Sequence, residues 1–84
     1  MRVQVLGSGC AKCNELYDHA CQAAERFGAA APVVEKVDDV DTFVRLGVRT
    51  TPALLLDEEV VSMGKVLSVD EIARLIEERC GDGA

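Results

Sequence analysis

Apolar and polar positions change period several times along the chain, and each change marks an element. Residues 2–6 read Arg-Val-Gln-Val-Leu, a β-rich run that ends at the turn signal Gly7-Ser8-Gly9. From Cys10 to Phe27 the period is helical. At about 100° per residue, Cys13, Leu16, Tyr17, Ala20, Ala24 and Phe27 share one face, and Glu15, Asp18, His19, Gln22, Glu25 and Arg26 share the other. Gly28 is the expected stop. Pro32 leads into a second strand, Val33 to Val37. Asp38 or Asp39 caps a short helix with Val40, Phe43, Val44 and Leu46 as its apolar residues, ended by Gly47. Ala53 to Leu56 is a third strand, entered through Thr50-Thr51-Pro52. Asp57-Glu58 turns the chain tightly into a fourth, Glu59 to Met63, which ends at Gly64. Ser68-Val69-Asp70-Glu71 is a capping box opening a last helix, with Ile72, Leu75 and Ile76 inward and its end near Cys80.

The predicted order is β-α-β-α-β-β-α. A helical crossover makes the first pair of strands parallel, and a two-residue turn makes the last pair antiparallel. The expected fold class is therefore α/β, a mixed four-stranded sheet with helices on both faces. Residues 1–80 form one domain, and residues 81–84 are expected to be a frayed tail. One position fits poorly. Gln4 is too polar for a strand covered on both sides, so either one face is open near the start of that strand or Gln4 has a buried partner.

Charge narrows the partners. With 9 Lys+Arg against 15 Asp+Glu, the formal net charge is -6. An acidic surface repels phosphate, so neither nucleic acid nor an anionic membrane is an expected partner. No Trp, one Tyr and two Phe leave little material for stacking on bases. The longest apolar runs fall far short of the ~20 residues that span a bilayer. No charged and apolar leader pattern opens the chain, so the expected compartment is the cytoplasm.

In a reducing compartment, a close cysteine pair points to redox or metal chemistry rather than a structural disulfide. Cys10-Ala11-Lys12-Cys13 lies where the first strand gives way to the first helix. Thiol–disulfide exchange needs an attacking thiolate and a second thiol within reach. Cys10 takes the outer position, and Cys13 turns toward the apolar face. Cys10 is thus the expected nucleophile and Cys13 the expected resolving thiol. The helix N-terminus and the Lys12 cation both favour the thiolate. Gly7 and Gly9 are expected to leave the backbone open on the substrate side.

The other candidates weigh less. Cys21 sits at the margin of the apolar stripe, as a buried or half-buried small residue. Cys80 ends the last helix, either in an apolar contact or exposed. His19 faces solvent on the wheel with no nameable partner, and Tyr17 is expected to pack in the core. No second close pair completes a four-ligand structural zinc site. A copper or zinc carrier is the alternative reading, since such carriers also place a Cys-x-x-Cys loop between a first strand and a first helix. They typically run β-α-β-β-α-β and carry Met shortly before the first Cys, where this chain has Ser8-Gly9.

Three pieces of sequence together resemble the thioredoxin-like superfamily, most closely its small bacterial and archaeal redox-active disulfide proteins. They are Gly7-Ser8-Gly9-Cys10-Ala11-Lys12-Cys13, the segment Gly47-Val48-Arg49-Thr50-Thr51-Pro52-Ala53-Leu54-Leu55-Leu56, and the hairpin closing at Gly64 before the capped last helix. The resemblance spans essentially the whole chain. It implies a thiol–disulfide oxidoreductase that reduces protein disulfides and acts as a monomer. It needs no cofactor beyond a redox-active Cys10–Cys13 disulfide and no metal, and a separate reductase re-reduces it. It also implies a cis bond before Pro52, placing the Thr51 backbone beside the cysteine pair to hold extended substrate. Gly9 stands where thioredoxins carry an aromatic residue. The twin-glycine and aspartate signature by which glutaredoxins hold glutathione is not visible after Gly64.

Overall fold

The structure, a computed structural model, describes residues 2–7 and 11–80. The elements are β1 (Arg2–Leu6), α1 (Ala11–Glu25), a 3-10 turn (Gly28–Ala30), β2 (Val33–Val37), α2 (Val40–Arg45), β3 (Ala53–Leu56), β4 (Glu59–Met63) and α3 (Val69–Cys80). The strands form one mixed sheet in the order β2-β1-β3-β4. β1 and β2 are parallel, whereas β3 is antiparallel to both β1 and β4. The α/β class, the element order, the parallel β1–β2 pair and the antiparallel β3–β4 pair all agree with the hydrophobic pattern. Ser8, Gly9, Cys10 and the expected tail at 81–84 lie outside the described residues.

The two central strands are the most apolar, because they are covered on both faces. Val3 and Val5 of β1, with Leu54 and Leu56 of β3, face α1 and α3 and join Leu16, Ala20, Ala23, Ile72, Ala73 and Ile76 in the larger core. Each fully buried Leu or Ile there contributes roughly 1.5–3 kcal/mol. Leu6, Ala53 and Leu55 face the other way and form a smaller cluster with Val48, edged by Phe43 and Leu46 around α2. Asp57 and Glu58 both take positive φ, 51° and 69°. That twist matches the right-handed twist of the strands they join and closes the β3–β4 hairpin in two residues.

Local boundaries differ from the periodic pattern in three places. α1 ends at Glu25 rather than Phe27, and Gly28, at φ 55°, reverses the chain into the short 3-10 turn. Phe27 therefore lies beyond the helix and packs half-buried against the larger core. In α2, none of the predicted apolar residues is buried. Phe43 and Leu46 are half-buried, while Val40 and Val44 are 66% and 73% exposed. Six residues make fewer than two turns, too few to lay a full apolar stripe on the sheet.

Gln4 lies on the α2 face, between its cross-strand neighbours Glu35 and Leu55. It is 6% exposed, yet its Oε1 has no hydrogen-bond partner among the described residues. An unpaired buried amide oxygen costs about 1–3 kcal/mol. The misfit in the β1 pattern is thus real: the face is closed over Gln4 rather than open, and its Oε1 lacks a partner among the described residues.

Candidate active site

The site is assembled at one end of the sheet by strand register. Leu6, the last residue of β1, pairs with Ala53, the first residue of β3. The chain leaving β1 toward the cysteine pair and the Thr51-Pro52 step entering β3 therefore meet, although they lie some forty residues apart in sequence. The Thr51–Pro52 peptide bond is cis. Pro52 is buried and Thr51 half-buried. The Pro52 carbonyl accepts a hydrogen bond from the Gly64 backbone N–H at 2.8 Å, which ties the proline to the end of β4.

Of the expected pair, Cys13 is described and Cys10 is not. Cys13 lies in the first turn of α1 and is fully buried. Lys12 precedes it, exposed to solvent. The start of a 15-residue helix concentrates unpaired N–H groups and a partial positive charge, which favours a thiolate held there.

Gly7 is also buried, and its reason differs from the one expected. Its N–H donates to Val37 O at 2.9 Å, which fixes the strand end between β1 and β2. A Cβ built on Gly7 would stand 2.8 Å from Cys13 Cβ and closer still to Cys13 Sγ. Gly7 is therefore the surface against which Cys13 packs, rather than an opening toward substrate. The Gly-to-Cys spacing was visible in sequence, but only the fold brings the two into contact.

Other side chains found partners that the helical wheel could not show. His19 is half-buried, not solvent-facing as expected. Its Nδ1 lies 2.8 Å from Leu67 O, and a carbonyl only accepts, so Nδ1 carries the proton. The bond fastens α1 to the segment before α3. Cys21 is half-buried, as its place on the stripe suggested. Tyr17 is half-buried and packs against the larger core, as expected, and it is hydrogen-bonded with Cys21. That bond, the charge Cys21 can carry and partial desolvation push the phenol up from its usual 10.0. Lys36 Nζ lies 5.5 Å over the Tyr17 ring and also donates to Asn14 Oδ1. Among the described residues, no three His, Cys, Asp or Glu side chains gather where they could hold a metal ion. No described helix is long and apolar enough to cross a membrane.

A Cys-bearing helix start beside a cis-proline loop, on a four-stranded mixed sheet, describes a thioredoxin-type oxidoreductase. Comparison with known proteins agrees. The family model for the thioredoxin domain matches residues 1–77. A thioredoxin of Methanothermobacter thermautotrophicus is 34% identical over 76 residues, covering 90% of this chain and 97% of that protein. A thioredoxin of Methanocaldococcus jannaschii is 39% identical over 70 residues, covering 83% of this chain and 79% of that protein. The chain belongs to the thioredoxin family, and it is a disulfide oxidoreductase.

Proposed function

We propose that the protein reduces disulfides of cytoplasmic proteins through a Cys10–Cys13 dithiol couple. The Cys10 thiolate attacks one sulfur of the substrate disulfide. An S–S bond to Cys10 forms, the substrate S–S bond breaks, and the first substrate sulfur leaves as a thiolate that takes up a proton. Cys13 then loses its proton and attacks Cys10 Sγ, releasing the second substrate thiol and leaving a Cys10–Cys13 disulfide. Two electrons and two protons pass to the substrate. A protein reductase returns them to the pair, so no further cofactor takes part.

The α1 N-terminus and Lys12 favour the Cys10 thiolate. The backbone of Thr51, held by the cis bond to Pro52, docks an extended stretch of substrate. The protein acts as a monomer on protein partners, with no role for nucleic acid or membrane. The observation that most supports this reading is the register of Leu6 with Ala53, which brings the approach to the cysteine pair beside the cis-proline step.

The test separates the two thiols. Cys10→Ser is expected to abolish reduction of a model protein disulfide. Cys13→Ser is expected still to attack, and to accumulate mixed disulfides visible by mass spectrometry. Equal alkylation rates of the two thiols near neutral pH would overturn the assignment.

A further inference from the structure

At the end of the sheet that carries the cis-proline step, two loops are packed together. The Gly64 N–H donates to the Pro52 carbonyl at 2.8 Å. The Thr50 side chain lies against Gly64, where an added Cβ would stand 2.9 Å from Thr50 Cγ2. This contact sets Arg49 and Lys65, the chain neighbours of Thr50 and Gly64, beside the same Thr51-Pro52 step. Both side chains are exposed.

Their charges are uncommitted, in a protein with a net charge of -6. Arg26 is paired with Asp70 and Arg79 with Glu59, both away from the cis-proline step. Arg49 and Lys65 form no ion pair with any described residue. The carboxylates at this end of the sheet sit elsewhere. Asp38, Asp39 and Asp41 follow β2, and β2 and β4 are the opposite edges of the sheet. Three strand spacings put roughly 14 Å between those edges. That exceeds the Debye length of ~8–10 Å at physiological salt. At the start of α1, exposed Lys12 and Glu15 stand one turn apart and offset each other. The site end is thus cationic on its β4 side and anionic on its β2 side.

We propose that Arg49 and Lys65 set the substrate specificity of the protein: they favour disulfides whose reacting cysteine is flanked, on the β4 side of the docked segment, by acidic residues. The inference rests on the reading of Thr51 as the edge along which substrate docks. An extended segment beside Thr51 lies next to the residues that carry both cations. Opposite charge there speeds encounter and fixes the direction of the segment, and like charge disfavours the wrong one. Because both cations are solvent-exposed, each contact is weak and salt-sensitive, so the effect is a preference and not a requirement.

The test is single-turnover reduction by the reduced full chain of disulfide dimers of a short peptide with a single cysteine. A pair of glutamines, glutamates or lysines stands immediately before or immediately after that cysteine. Each rate is divided by the rate of dithiothreitol with the same dimer, which removes the effect of the flanking charge on the leaving thiol. In the better of the two placements, the glutamate dimer should react about fivefold or more faster than the lysine dimer at low salt. The preference should shrink toward unity at about 1 M salt. The double variant Arg49→Glu/Lys65→Glu should reverse the order. Arg74→Glu, which changes an exposed and unpaired cation on α3, should keep the preference and so separates local charge from net charge. Equal normalised rates for glutamate and lysine dimers in both placements, or an equal loss of preference in Arg74→Glu, would overturn the proposal. Failure to reduce even the glutamine dimers would instead overturn the reading of the Cys10–Cys13 couple as a reductant, and the proposal with it.

Discussion

At the scale of single residues, the tightest constraint at the site falls on Gly7. Its backbone lies against Cys13, so any side chain there must displace the thiol or the end of β1. The Gly7 N–H bond to Val37 O opposes movement of the strand, and Cys13 is itself fully buried. Overpacking of this kind typically costs 1–3 kcal/mol. Gly7→Ala should therefore lose about that much in chemical denaturation. Because the displaced atom is the Cys13 sulfur, reductase activity should fall by more than the loss of folded protein accounts for. Activity per folded molecule equal to that of the unmodified chain would show that Cys13 can shift without consequence.

At the scale of elements, α3 is the helix whose start was most fully written in the sequence. Glu71 N–H donates to Ser68 Oγ at 3.1 Å, and Ser68 N–H donates to Glu71 Oε1 at 3.3 Å, so the reciprocal cap forms as read. Ser68→Ala removes one half of it, at about 1 kcal/mol. For a domain of this size that should lower the melting temperature by roughly 4–8 °C. An unchanged melting temperature would mean the box contributes nothing. Caps and strand alternation are legible because both are local: three or four residues decide them. Depth and distant partners are not. The wheel placed Val40 and Val44 with the apolar residues of α2, but it cannot say that so short a helix covers only part of a sheet. It put His19 among polar neighbours, whereas the bond that matters comes from Leu67, 48 residues away. At the site, Cys13 and the Thr51-Pro52 step could be picked out by type and spacing. The contact of Gly7 with Cys13 could not, because it depends on how the end of β1 and the start of α1 pack together. Gln4 stood out in sequence as a misfit, and the structure buries it with its Oε1 unpartnered among the described residues.

At the scale of the whole molecule, the sheet divides the interior into two unequal cores, and that inequality predicts where the fold opens first. α1 and α3 together cover one face with the larger cluster, while α2 covers the other with no fully buried residue of its own. α2 is held mainly by half-buried Phe43 and Leu46, by its Asp39 cap and by the Val48 N–H bond to Phe43 O at 2.8 Å. Regions with few buried apolar contacts open locally, well below the free energy of global unfolding. Amides of α2 should therefore exchange with solvent far faster than those of β1 and β3, which should report the global value. Two substitutions separate the levels. Leu56→Ala, in the larger core, should lower protection everywhere by about 2–5 kcal/mol. Phe43→Ala should speed exchange in α2 and in the following residues 48–51, with a much smaller effect on β3. The second outcome bears on function, because α2 leads through Val48, Arg49 and Thr50 directly into the Thr51-Pro52 step. A loosened α2 would then weaken the docking of substrate while the cysteine helix, packed on the opposite face, keeps its place. Equal exchange rates in α2 and β3 would instead show one cooperative unit spanning both faces of the sheet.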